Sequence, residues 1–342
     1  MSVAVTDASR PRHAAWSAWL AAGRAWLFLG TLIVGFELWS RFSFGMTFIL
    51  NASNVRSIAV FATAPLLLAI GQTFVIISGG IDLSVGFTMG LAAVVASQVM
   101  NVTDGTLGDF GSLLAGVVAA GLVAIVPGLV NGLLIARLRV PPFIGTLGMY
   151  GVARGVAFLV AGGTTVPVDN AILSFLGNGT IGAVPVVVVV TALAMLGLHY
   201  LLSQTRFGQY VYAVGGSRQA SLRAGIDVRG VTVWLYVLSA LSAAVGGVLY
   251  AGRFSAGAAQ AGEPLLLDSI AAVVIGGASL FGGSGTLVGT LIGALIVAVI
   301  QYGLVFINVE PFWQFVAVGV VIIISVLVDQ SQRKSGGGRV DD

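Results

Sequence analysis

Residues 58–77 read Ile58-Ala-Val-Phe-Ala-Thr-Ala-Pro-Leu-Leu-Leu-Ala-Ile-Gly-Gln-Thr-Phe-Val-Ile-Ile77, a run without a charged side chain. A helix of about 20 residues is about 30 Å long, which matches the hydrocarbon core of a lipid bilayer. Similar apolar runs recur from Trp26 almost to the C-terminus. The run therefore predicts a membrane-spanning helix, and its repetition predicts an all-α, polytopic membrane helix bundle.

The composition supports a membrane protein. Of 342 residues, 57% are hydrophobic and 8% are charged, whereas soluble domains carry about 25% charged residues. The 48 glycines allow close helix contacts and interrupted or re-entrant helices. The absence of Cys and the presence of only two His exclude disulfides and thiolate nucleophiles and leave little for a metal site, so no metal is predicted.

About ten spans are predicted from the apolar runs. They are Trp26–Phe42, Ile58–Ile77, Leu83–Met100, Ser112–Ile135, Phe143–Ala161, Ala183–Leu202, Val231–Ala251, Ser269–Leu280, Thr286–Ile307 and Phe312–Val328. The outer loops Asn101–Gly111 and Gly162–Gly182 contain no Lys or Arg. By the positive-inside rule, both termini are expected in the cytoplasm. The predicted parts are a tail at 1–23, a transmembrane domain at 24–329 and a tail at 330–342.

The segment 205–230 differs from the rest because its hydrophobicity falls and four Arg appear. It falls on the cytoplasmic side of the predicted topology. The run from Ala213 to Ile226 predicts a short helix that ends at a Gly turn. Two interpretations remain open, a solvated connector and a docking helix for a soluble partner.

A weak internal repeat links the two halves. Gly79-Gly80 followed by Val85-Gly86 and Gly90 matches Gly282-Gly283 followed by Val288-Gly289 and Gly293 at a constant offset. Paired halves with helices interrupted at corresponding places are typical of transporters.

No catalytic constellation or nucleotide motif is present in the sequence. The only Lys is Lys334, and Arg333 precedes it where a Walker A motif requires Gly. Any energy from ATP must therefore come from another subunit. Glu37 and Arg41 are spaced for an i,i+4 ion pair within the first span.

Four ionisable or polar residues lie at or near membrane depth. Asp82 and Ser84 precede an apolar helix and are interpreted as caps of its free amides, and Asp268 is interpreted in the same way. Arg154 lies about 16 Å into its span, where a guanidinium must face protein or water because exposure to lipid is costly. It is either a structural strut or a residue that lines a pathway.

Several motifs together resemble the ribose, xylose and arabinose permease family of bacterial ABC importers. They are Gly79-Gly-Ile-Asp-Leu-Ser-Val-Gly86, Pro142-Phe-Ile-Gly-Thr-Leu-Gly148 with Arg154-Gly155, the loop Gly215 to Ile226, and Asp268-Ser-Ile-Ala-Ala-Val-Val-Ile-Gly-Gly277 with Ser279-Leu-Phe-Gly-Gly283. The resemblance implies a multi-pass protein of the bacterial inner membrane that forms the pathway for a monosaccharide or polyol. It also implies a dimeric permease core, most simply a homodimer, a cytoplasmic ATPase and a periplasmic or extracellular sugar-binding protein.

The resemblance also places the candidate sites. Coupling to the ATPase is expected in the 205–230 loop, at Gly215, Gly216, Ser217, Ala220 and Gly225. The candidates for a pathway or structural role are Asp82, Ser84, Asn131, Thr146, Arg154 and Asp268. No cofactor is expected on this chain, because ATP and Mg would bind to the partner ATPase.

The chain departs from the family pattern at Ser217, commonly Asn, at Ser284, commonly Arg, and at Leu265–Leu267, often Tyr-Glu-Leu. Pentose, hexose, sugar alcohol and inositol therefore remain open as substrates. The alternative function is an ATP-independent secondary transporter or channel for a small polar solute. Such proteins usually place ionisable groups along the pathway, and Arg154 is the only strongly charged candidate well inside a span. This scarcity of charged residues counts against the alternative.

Overall fold

The computed structural model describes residues 13–310 and 312–336, so the ends of both predicted tails lie outside the described residues. The helices are α1 His13–Phe44, α2 Ala52–Ile77, α3 Val85–Ala136, α4 Pro142–Val160, α5 Ala171–Asn178, α6 Val186–Gln204, α7 Arg206–Gly216, α8 Arg218–Arg223, α9 Val228–Phe254, α10 Glu263–Ile275, α11 Leu287–Phe306 and α12 Phe312–Gly336. Two antiparallel strand pairs, Val166–Pro167 (β1) with Ala256–Gly257 (β4) and Thr180–Ile181 (β2) with Val184–Pro185 (β3), lie in the connections. The predicted all-α membrane bundle is confirmed.

Seven helices are long and apolar enough to cross a membrane, counted over the residues that the structure describes. They are α2, α3, α4, α6, α9, α11 and the Ala25–Phe44 part of α1. The apolar part of α12, Phe312–Leu327, is shorter. α10 has 13 residues, or about 20 Å, which is less than the hydrocarbon thickness of about 30 Å. The predicted eighth span, Ser269–Leu280, is therefore not a full-length helix.

The longest helix, α3, accounts for two of the predicted spans. Its 52 residues include Gly108, whose φ of 64° and ψ of 179° are not helical. Beyond this point the chain folds back on itself. The contact that shows this is at Gly116, where a Cβ would lie 2.9 Å from the carbonyl oxygen of Ala96. The predicted outer loop Asn101–Gly111 is thus helical on both sides of one glycine, and the prediction of a loop there was wrong.

α9 packs against both limbs of α3 through close backbone contacts. In the first limb, a Cβ on Gly247 of α9 would lie 2.9 Å from the amide nitrogen of Ala93. In the second limb, a Cβ on Gly132 would lie 2.7 Å from the Cα of Val233. The small residues that the sequence supplies at these positions let the two helices approach closely.

The predicted outer loop Gly162–Gly182 is more structured than expected. It contains α5, which packs against α9 at Gly177, where a Cβ would lie 2.6 Å from the carbonyl oxygen of Gly252. Asn170 caps α5 by accepting the amide of Leu173 at 2.8 Å. α5 was missed because it is short and lies between spans.

The segment predicted as one short helix over Ala213–Ile226 is two helices. Ser217 separates α7 from α8 and caps α8, because its hydroxyl accepts the amide of Ala220 at 3.2 Å. The predicted Gly turn is present, because Gly225 has a φ of +79° after the end of α8. A β-region Ser that caps a new helix explains the break.

The internal repeat corresponds to equivalent positions in the fold. Gly79 and Gly282 both have positive φ, at 82° and 87°, and each lies shortly before an apolar helix. The next repeated glycines in α3 and α11 meet backbone atoms of the 257–276 region. The two loops also touch each other, since a Cβ on Gly282 would lie 3.0 Å from the Cα of Gly79.

Candidate functional site

The loop between α2 and α3 holds a buried carboxylate. Asp82 is 1% exposed. Its Oδ1 accepts the Ser84 amide at 3.0 Å and the Ser84 hydroxyl at 2.6 Å, and its Oδ2 accepts the Ser239 hydroxyl at 3.0 Å. Three donors compensate for the loss of water that burial imposes on the carboxylate.

This geometry revises the interpretation of the pair as helix caps. Asp82 accepts the amide of Ser84, the N-cap residue that precedes α3, so it satisfies one free backbone donor at this helix start. The Ser84 side chain makes no capping bond and donates to Asp82 instead. The cap interpretation therefore holds for Asp82 and is wrong for Ser84.

Further polar side chains tie the same loop to its neighbours. Asn131 Nδ2 donates to the Ser84 hydroxyl at 2.9 Å. The Thr146 hydroxyl donates to the carbonyl of Pro142 at 2.8 Å and lies 3.4 Å from the carbonyl of Ile81. Four of the candidates predicted from sequence, Asp82, Ser84, Asn131 and Thr146, thus lie together around one loop. They join the two limbs of α3 to α4.

Three members of this network were not predicted. Gln72 Nε2 donates to the carbonyl of Asp82 at 2.5 Å, Ser239 donates to its carboxylate, and the Tyr236 hydroxyl lies 3.4 Å from the carbonyl of Ile81. The signal available in the sequence was a polar side chain within an apolar span, which requires an internal partner.

α7 rests on both glycine loops of the repeat. A Cβ on Gly215 would overlap the carbonyl oxygen of Ile77 and would lie 2.6 Å from the amide nitrogen of Gly283. Gly283 also donates its amide to the carbonyl of Ile77 at 2.8 Å. The last turn of α7 therefore lies directly against the end of α2 and the loop before α11.

Tyr212 adds a hydrogen bond to this contact. Its hydroxyl donates to the carbonyl oxygen of Gly285 at 2.8 Å. Burial raises the pKa of Tyr212, so the hydroxyl stays protonated at neutral pH and keeps its donor. The bond links α7 to the loop that leads into α11.

The opposite side of α7 and α8 is exposed. Gly216, Ser217, Ala220 and Gly225 are exposed, and Leu222 is 55% exposed. Within α8 only Ser221 is buried, and its hydroxyl donates to the carbonyl of Ser217. We call this surface the α7–α8 face. It carries four of the five predicted coupling residues, and the fifth, Gly215, lies beneath it.

A second feature is a cavity of 690 Å³ formed by residues of α2, α6, α9, α10, α11 and α12. We call it the outer cavity, because its lining residues fall in the halves of these helices that the predicted topology places outside. Asp268 lies in its wall, and Asp268 Oδ2 accepts Gln301 Nε2 at 2.8 Å. α10 begins at Glu263, so Asp268 is inside the helix and its interpretation as a cap was wrong.

Arg154 belongs to neither feature. It is exposed on the surface of α4, with its guanidinium carbon 5.4 Å from the centroid of the Phe87 ring. Tyr150, which packs edge-on against Phe87, donates its hydroxyl to Glu263 at 3.1 Å. The Phe87 ring therefore covers one side of the Arg154 guanidinium.

The other ionic features are few in the part of the chain that the structure describes. The predicted Glu37–Arg41 ion pair is confirmed, with Nε and Oε1 2.6 Å apart. Among the described residues no group of three or more His, Asp or Glu has the geometry of a metal site.

The sequence matches a known protein family over the region that holds these features. A family model described as branched-chain amino acid transport system / permease component matches residues 54–326. The matched region runs from α2 into α12, so it includes both glycine loops, the α7–α8 face and the outer cavity.

Individual relatives match over most of their length. The fructose import permease protein of Rhizobium meliloti is 37% identical over 317 residues, which cover 90% of this chain and 84% of that protein. The ribose import permease protein of Bacillus subtilis is 39% identical over 269 residues, covering 78% and 81%. The galactose/methyl galactoside import permease protein of Haemophilus influenzae is 35% identical over 292 residues, covering 82% and 87%.

Proposed function

Since the chain belongs to the branched-chain amino acid transport system / permease component family, we propose that it is the membrane-spanning permease subunit of an ATP-driven importer for a monosaccharide or related polyol. The family and the apolar helices make it a multi-pass inner membrane protein. The sugar is proposed because the relatives above are named import permeases for fructose, ribose and galactose.

The subunit works with partners. A cytoplasmic ABC ATPase binds ATP and Mg, and a periplasmic or extracellular binding protein delivers the sugar. This chain contributes no ATPase site, because its only Lys is not part of a Walker A motif. A second copy completes the permease as a homodimer, and both termini are cytoplasmic.

The observation that carries the proposal is the position of α7 and α8 between two surfaces. Their inner side contacts the end of α2 and the loop before α11 through Gly215 and Tyr212. Their outer side is exposed and includes the apolar Leu222. A partner that pushes on the α7–α8 face therefore moves the glycine loops at which α3 and α11 begin.

This arrangement favours the coupling interpretation over a solvated connector. A connector does not require close backbone contact with two separate helix ends. It also argues against the secondary transporter, which needs no docking surface for an ATPase.

The test is Ala220→Glu, because Ala220 is exposed on the α7–α8 face and its hydrogen bonds to Ser217 and Ala224 are made by its backbone, which the exchange keeps. A carboxylate buried without a partner costs more than the about 1–3 kcal/mol of a neutral polar group, so ATPase binding should weaken by roughly 5-fold to 150-fold or more. The measurements are co-purification of an ABC ATPase with the permease and ATP hydrolysis in reconstituted vesicles.

The matched control is Ala52→Glu, the same exchange at an exposed position at the start of α2. In the proposed topology Ala52 lies on the outer side, so ATPase binding should be unchanged. Normal binding and hydrolysis in Ala220→Glu would mean that the α7–α8 face is only a connector.

A further inference from the structure

We propose that the outer cavity is a binding subsite for the transported sugar, with Asp268 and Gln301 as the side chains that recognise its hydroxyls. This inference rests on the proposed function and adds a substrate site to it. The cavity volume of 690 Å³ falls within the range of about 300–1,000 Å³ for small-molecule sites, so a monosaccharide fits with room for water.

Polar side chains from five helices converge on this one cavity. They come from mainly apolar helices, and they are Thr63 of α2, Arg253 of α9, Glu263 and Asp268 of α10, Gln301 of α11 and Gln314 of α12. Polar groups at membrane depth are costly and therefore mark pathways more often than packing. A mostly apolar cavity with a few convergent polar groups is the usual form of a ligand site.

Asp268 is the group whose chemistry points to a polyol. Its side chain is 4% exposed and lines the cavity, and Gln301 Nε2 donates to its Oδ2 at 2.8 Å. A carboxylate has about four acceptor positions, so a single amide leaves others for donors from a ligand. Two adjacent sugar hydroxyls supply such donors without adding a charge.

The walls supply the complementary apolar surface. Phe61, Tyr250, Phe254 and Phe315 line the cavity, and the rings of Tyr250 and Phe254 lie 4.5 Å apart between centroids. The electron-rich face of an aromatic ring attracts positively polarised hydrogens, which the C–H bonds of a sugar ring present. A lipid acyl chain would use these walls but would leave Asp268 and Gln301 without a ligand.

The main experiment compares Asp268→Asn and Gln301→Leu with the unaltered permease in vesicles that contain the complete importer. Uptake of radiolabelled D-fructose, D-ribose and D-galactose gives KM and kcat for each protein. Loss of a hydrogen bond to a charged group should raise KM about tenfold or more. ATPase binding should stay normal, because the proposed topology places the cavity on the outer side of the membrane and the α7–α8 face on the cytoplasmic side.

Asp169→Asn is the matched control, since Asp169 is an exposed carboxylate next to α5. It should leave KM unchanged. If Asp268→Asn and Gln301→Leu also leave KM unchanged, the subsite assignment is overturned while the proposed function stands. If the unaltered protein imports none of the three sugars but imports leucine, the proposed sugar function fails as well.

A second measurement covers the case in which Asp268→Asn does not fold. The chain has no Cys, so Gln314→Cys places a single thiol in the cavity wall. Saturating sugar should slow its reaction with a maleimide severalfold, whereas Asp169→Cys should react at the same rate with and without sugar. If the Gln314→Cys thiol reacts at the same rate with and without sugar, the assignment is contradicted. It is also contradicted if this thiol does not react under either condition, as a bound acyl chain would cause.

Discussion

Gly215→Ala should uncouple the ATPase from transport, because Gly215 is the closest contact between α7 and the glycine loops. The added Cβ would overlap the carbonyl oxygen of Ile77 and lie 2.6 Å from the amide nitrogen of Gly283. Both obstacles are backbone atoms, so no side chain can rotate away. α7 must therefore shift away from Ile77 and Gly283.

The size of the effect follows from two opposing contributions. Overpacking costs about 1–3 kcal/mol, and replacing a helical Gly by Ala returns about 0.5–1 kcal/mol. The net cost is about 0–2.5 kcal/mol in the contact between α7 and the loops. Gly215→Val removes most of the helix gain and adds bulk, so its cost should lie at or above the upper end.

Gly216→Ala is the matched control on the neighbouring residue. A Cβ there meets nothing within 4 Å, so only the helix gain remains. The assay is the ratio of sugar molecules imported to ATP molecules hydrolysed in reconstituted vesicles. The ratio should fall in Gly215→Ala, fall further in Gly215→Val and stay constant in Gly216→Ala. Equal ratios in all three variants would refute a coupling role for this contact.

Two further predictions concern α4 and the topology. Arg154→Leu should reduce uptake but cause little loss of folded protein, since a cation–π contact at an exposed site is worth only about 0.5–1 kcal/mol. Arg154→Lys keeps the charge and should retain more uptake. Normal uptake in Arg154→Leu, measured together with the yield of folded protein, would show that the charge is dispensable. Cys introduced at Ser174 and at Gln219, both exposed, should react with an impermeant thiol reagent from outside and from inside respectively. Reaction of both from the same side would contradict the proposed orientation.

The spans were predictable because the signal for them is local. The run 58–77 lies within α2, which covers Ala52–Ile77, since lipid requires an unbroken apolar helix of about 20 residues. The connections were harder. Polar residues at 101–111 indicated a loop, yet a single positive φ at Gly108 reverses α3, and no local rule distinguishes that residue from the many other glycines.

The start of α10 shows a signal that was present and misread. Glu263-Pro264 places an acidic residue and a Pro in the first turn, which is typical of a helix start. This pair predicts a helix start several residues before Asp268, which excludes Asp268 as the cap. The correct start moves Asp268 into the helix, where its carboxylate meets Gln301 of α11 rather than a backbone amide.

The sequence predicted several residues of the candidate site but not the hydrogen bonds that join them to other helices. Asp82, Ser84, Asn131 and Thr146 do surround one loop. Their partners Gln72 and Ser239 come from α2 and α9, and only the packing of those helices brings them to Asp82. Sequence indicates that a buried polar group needs a partner, but it does not say which helix provides it.

The central claim is that this permease imports a sugar with energy from ATP. The most direct measurement is uptake of radiolabelled D-ribose, D-fructose and D-galactose into vesicles that contain the permease, its ATPase and its binding protein, with and without ATP, and with an imposed proton or sodium gradient. Uptake of at least one sugar should require ATP and the binding protein and should be independent of both gradients. Sugar uptake by the permease alone, driven by an ion gradient without ATP, would contradict it.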